Sequence, residues 1–62
     1  MQKNEICRGV VASLGSEGEG VINLISGGRA FVPGCIPGEE VEFTALKVGD
    51  NVVYGKLNRV LT

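Results

Sequence analysis

Sixty-two residues leave room for one small domain and exclude a two-domain enzyme, since domains commonly run to about 100–200 residues. Six Lys and Arg stand against seven Asp and Glu, a formal net charge of −1, and the absence of any His excludes Ser-His-Asp and Cys-His catalysis and any zinc site needing an imidazole. No apolar run approaches the roughly 18 residues of a membrane span, and ten glycines, about twice the usual share of roughly 7%, predict tight turns in an all-β fold.

Five strands are predicted in chain order, each rich in β-branched residues and bounded by glycine. The first covers residues 5–14, and its alternation reads two ways, with Ile6, Val10 and Ala12 inward or with Cys7 and Val11 inward. A glycine-rich turn at residues 15–20 leads into a second strand over 21–25, followed by a hairpin turn at Ser26-Gly27-Gly28. A short third strand over 29–32 stops at Pro33-Gly34, and a second turn, Ile36-Pro37-Gly38-Glu39, follows. The fourth strand, 40–48, alternates plainly, with Val41, Phe43 and Ala45 on one face and Glu40, Glu42 and Thr44 on the other. After a turn at Gly49-Asp50-Asn51, the fifth strand runs over 52–61. No stretch has the i, i+3, i+4, i+7 spacing of an amphipathic helix. Five short strands with frequent turn signals are best satisfied by a small barrel, OB-like or SH3-like, which removes exposed edges.

Cys7 and Cys35 form no CxxC pair, and no secretory signal precedes them, so reduced thiols and a cytoplasmic location are expected. Glu39, Glu40 and Glu42 read as a solvated strand face rather than as acid–base groups. The residues supply no catalytic constellation and no metal site.

More specific is a series of four short motifs: Gly18-Glu19-Gly20-Val21, Phe31-Val32-Pro33-Gly34, Ile36-Pro37-Gly38-Glu39 and Tyr54-Gly55-Lys56-Leu57. In order and spacing they resemble the TRAM domain, whose pattern reads approximately GEGV, FVPG, LPGE and YGRL, and the resemblance covers almost the whole chain. Two departures stand out. Ile36 replaces the usual Leu, and the stretch from Ile22 to Gly28 is about one residue longer than in common members, so a locally different hairpin is expected there. The resemblance implies a five-stranded OB-like barrel, residues 1–62, that binds RNA as an accessory to enzymes modifying rRNA or tRNA. It is most like the N-terminal TRAM domain of RNA (uracil-5-) methyltransferases, so an excised N-terminal module is expected, with a free-standing TRAM protein as the alternative. Such enzymes use S-adenosylmethionine in a separate catalytic domain, and many hold an iron–sulfur cluster outside the TRAM unit. Neither Cys7 nor Cys35 is assigned to cluster or catalysis.

An RNA-binding role needs cations and stacking surfaces. Residues 1–42 carry a net −3 and residues 43–62 a net +2, so the last hairpin is the basic end. Alternation puts Tyr54 and Lys56 on one face of the fifth strand, opposite Val53 and Leu57, where a base can stack and a phosphate can pair. The expected RNA-binding residues are Arg29, Phe31, Lys47, Tyr54, Lys56 and Arg59. Each has a plainer reading beside it: Tyr54 as a surface cover, Phe31 as core, and the cations as solvated. Phe43, in phase with Val41 and Ala45, reads as core. Gly18-Glu19-Gly20 lacks the Lys-Ser/Thr of a phosphate loop and reads as turn geometry. A competing class of function is a structural barrel that packs on its own catalytic domain, favoured by the net charge and by Glu40 and Glu42.

Overall fold

The computed structural model describes residues 1–25 and 27–62, so the Ser26 part of the predicted hairpin turn lies outside the described residues. Six strand segments follow one another: β1 (Ile6–Val10), β2 (Ser13–Leu14), β3 (Gly20–Asn23), β4 (Arg29–Val32), β5 (Glu40–Val48) and β6 (Val52–Val60). They join in one sheet of order β1-β5-β6-β4-β3-β2, and the described residues contain no helix. The predicted third and fourth strands keep their bounds. The second begins and ends earlier than predicted, and the fifth stops one residue sooner.

The predicted first strand is the one that divides, at Val11–Ala12. Its first half, β1, pairs antiparallel with β5, and its second half, β2, pairs with β3, at opposite edges of the sheet. Because both halves belong to one continuous segment, the sheet curls until its edges meet. The break makes the closure possible: Val11 donates its N–H to the Glu39 carbonyl (2.9 Å), whereas Ala12 donates to the Val21 carbonyl (2.8 Å). The two phases left open by the sequence are decided here, since Val11 is 1% exposed and Ile6 and Val10 are 64% and 57% exposed.

β4 and β6 pair in parallel, with β5 between them in sequence but not in space. Antiparallel hairpins in simple succession cannot produce such a pair, so the barrel has the Greek-key arrangement of the OB-like fold. The Ile36-Pro37-Gly38-Glu39 turn turns the chain from β4 toward β5. Glu39 donates its N–H to the Ile36 carbonyl (3.2 Å) and Gly38 has φ +92°, the type II geometry that proline at the second position and glycine at the third support.

Phe43 fills the barrel axis at 0% exposure, packed with Val11, Val32, Val41 and Val53. Burying each such side chain contributes about 1.5–3 kcal/mol, and a barrel of this size has few of them. Alternation on β5 is as the sequence predicts, with Val41, Phe43 and Ala45 inside and Glu40, Glu42 and Thr44 outside.

Candidate nucleic-acid interface

The parallel register sets Phe31 of β4 directly beside Tyr54 of β6. Their rings stack on the outer face, centroids 5.8 Å apart and planes inclined by 26°, within the offset-stacked range. Tyr54 is half exposed and Phe31 is half-buried, so Phe31 lies outside the core cluster that its plainer reading would have placed it in. In register behind Phe31 is Val21 of β3, also outside the core cluster and covered on the same face.

Cations border this pair on three sides. Arg29 precedes Phe31 by two residues on β4, and Lys56 follows Tyr54 by two on β6, each about 7 Å along its strand and on the same face. Lys47 of β5 is in register with Tyr54. Strict alternation from Val41, Phe43 and Ala45 would have turned Lys47 inward. A bulge prevents it: Ala45 pairs with Gly55 and Lys47 with Tyr54, leaving Leu46 as the extra residue.

A second bulge does the same for Arg59. Phe43 pairs with Leu57 and Glu42 with Arg59, so Asn58 is extra and Arg59 emerges on the outer face instead of following Val53, Gly55 and Leu57 inward. There its Nη2 lies 3.4 Å from Glu42 Oε1. The Asn58 amide completes the group, donating to Thr44 Oγ1 (2.9 Å) and to Glu42 Oε2 (3.4 Å). Such a pair, with the arginine side chain 63% exposed, stabilises the barrel by about 0–1 kcal/mol. Arg59 thus stands apart from the Phe31–Tyr54 stack, while Arg29, Lys47 and Lys56 adjoin it.

One cation escapes a reading of the sequence. Arg8 of β1 is exposed and in register with Glu42, whose other neighbour is Arg59. The signal was the outward phase of β1, which the sequence left undecided. Five of the six lysines and arginines therefore occupy outer strand positions across β1, β5, β6 and β4, with Glu40 and Glu42 the acidic side chains among them. Glu17, Glu19, Glu39 and Asp50 lie in the connecting turns, and Glu5 lies just ahead of β1. Two of these carboxylates fold back on their own backbone: Glu19 Oε1 accepts from the Glu17 N–H (3.2 Å) and Glu39 Oε1 from the Ile36 N–H (3.0 Å). A chain of net charge −1 consequently presents a sheet face of positive sign.

Both cysteines are free. Burial, then the Glu5 carboxylate and its hydrogen bond, push the Cys7 thiol above its ordinary range; burial and Glu39 do the same for Cys35, whose Sγ donates to the Val32 carbonyl (3.2 Å). Neither thiol is prepared as a nucleophile. Among the described residues, no three His, Cys, Asp or Glu side chains gather as a metal site, and no helix is long and apolar enough to cross a membrane.

No protein-family model matches the chain. The whole chain aligns at 39% identity with an uncharacterized RNA methyltransferase of Clostridium tetani and at 36% with one of Staphylococcus epidermidis. In each case all 62 residues are covered, and they span 13% of the relative's length. The chain is thus similar throughout to a small part of proteins named RNA methyltransferases.

Proposed function

We propose that this chain is a TRAM-like, RNA-binding accessory barrel of an RNA methyltransferase, and that it holds unpaired RNA on the outer face of β4, β6 and β5 for a separate catalytic domain in the same protein. The observation that carries the proposal is the Phe31–Tyr54 stack with Arg29, Lys47 and Lys56 around it. Aromatic rings accept any base, at about 1–3 kcal/mol each, and the cations pair with phosphates on either side. OB-like barrels commonly bind oligonucleotides on the face formed by their second and third strands, here β3 and β4. Two rings and three nearby cations give weak, sequence-tolerant binding, which suits a module that delivers RNA rather than selects it.

The motif resemblance extends the proposal to an S-adenosylmethionine-dependent (uracil-5-) methyltransferase acting on rRNA or tRNA, with this barrel as its N-terminal unit in the cytoplasm. Two separated thiols and no cluster of ligating groups among the described residues do not fit an iron–sulfur cluster. The chain's part in the reaction is to bind and orient RNA.

The test is a backbone-amide NMR titration of the 62-residue chain with a uridine-containing stem-loop at about 50 mM and about 200 mM salt, across which phosphate contacts weaken markedly. Shifts centred on β4 and β6 that shrink at the higher salt are expected. A spectrum unmoved at millimolar RNA would refute the proposal and favour the alternative, a barrel that acts by packing on its catalytic domain.

A further inference from the structure

The outer face does not end at the aromatic pair. Lys56 of β6 is in register with Thr44 of β5, which is in register with Ile6 of β1. One step further along, Arg59, Glu42 and Arg8 form a second row across the same three strands. Two properties of this region bear on what it can bind. Ile6 and Val10, both aliphatic and β-branched, point outward at 64% and 57% exposure on either side of Arg8. Glu42 faces two arginines, yet its one ion pair goes to Arg59, and its second oxygen is taken by Asn58. The row keeps an excess positive charge, and Arg8 carries it.

Resting on the RNA reading above, we propose that the outer strip of β1, Ile6-Arg8-Val10, is a second contact for the same RNA strand, with Arg8 pairing a phosphate and the flanking aliphatic side chains lying against sugar and base. The charge selects the occupant: Glu40, in register with Val10, bounds the strip at one end, whereas toward Ile6 and Lys56 a cation between two apolar groups, beside a carboxylate paired with Arg59, complements a polyanion with apolar faces. The strand then runs from Phe31 and Tyr54 past Lys56 onto β1, three inter-strand spacings or about 14 Å. A ligand of roughly 4–16 nucleotides, the range one OB barrel covers, spans that distance, whereas the aromatic pair alone needs only two bases. Glu42 pairs with Arg59 and not with Arg8, which leaves the Arg8 guanidinium to the ligand.

Fluorescence anisotropy with a uridine trinucleotide and a uridine octamer tests this on the whole 62-residue chain. The gain in affinity from trinucleotide to octamer is expected to shrink in Arg8→Gln. The wild-type advantage for the octamer should fall by about 2.6-fold between 50 and 200 mM salt, as one lost phosphate contact of slope about 0.7 requires. Glu42→Gln removes the one negative charge from the Arg59–Glu42–Arg8 row and should tighten the octamer more than the trinucleotide, a second reading that leaves Arg8 in place. Should both variants bind the octamer with wild-type affinity and salt slope while Tyr54→Ala loses it, the strip on β1 is wrong and the aromatic site stands. If the wild-type chain binds neither oligonucleotide, both readings fall together.

Discussion

Tyr54→Ala probes the proposed interface most directly. The ring is half exposed, lies outside the core cluster, and contributes one of the two stacked faces, 5.8 Å from Phe31. Its loss removes stacking worth about 1–3 kcal/mol per base, which is roughly a 5- to 160-fold rise in the Kd for unpaired RNA. It also removes the ring–ring contact, worth about 0.5–1.5 kcal/mol of stability. In a domain of this length that lowers Tm by about 2–12 °C, so the barrel remains folded at room temperature. Anisotropy with a labelled single-stranded RNA reads the affinity, and circular dichroism reads the melting. Tyr54→Phe, which keeps the ring and loses only the hydroxyl, should bind within about twofold of wild type if stacking carries the energy. Wild-type affinity in a folded Tyr54→Ala variant would refute the stacking platform. Equal losses in the Ala and Phe variants would instead give the role to the hydroxyl.

Lys56→Gln should weaken RNA binding about evenly across sequences and lower the salt slope by about 0.7, checked by titrations at several salt concentrations. Gly55→Ala places a Cβ 2.7 Å from Phe43 Cδ2 and 3.1 Å from Val32 Cγ2, so overpacking should cost about 1–3 kcal/mol, measured by urea unfolding. Phe43→Ala should cost about 3–5 kcal/mol, enough to leave so small a barrel largely unfolded by circular dichroism at 25 °C. Glu5→Gln removes a carboxylate that raises the Cys7 thiol, so that thiol ionises at lower pH and its alkylation by iodoacetamide near pH 8 should quicken, followed by mass spectrometry. An unchanged rate would mean that burial alone governs Cys7.

The sequence by itself determined the class of fold and most of its inner face. Glycine and proline punctuation marks the turns because few other residues reach the required backbone angles, and the two-residue period of β5 assigns Val41, Phe43 and Ala45 to the core because successive side chains must alternate. The pairing of Tyr54 with Lys56 on one face follows from the same local rule. What the tertiary structure alone decided depends on contacts between distant segments. The phase of β1 was ambiguous because both readings offer apolar residues, and only its pairing with β5 and the break at Val11–Ala12 turn Cys7 and Val11 inward and leave Arg8 outside. The Phe31–Tyr54 stack needs a parallel contact between strands separated by all of β5, which no local pattern encodes. Lys47 and Arg59 reach the outer face only because bulges at Leu46 and Asn58 shift the register by one, and an irregularity that reverses a strand's faces is invisible to periodicity.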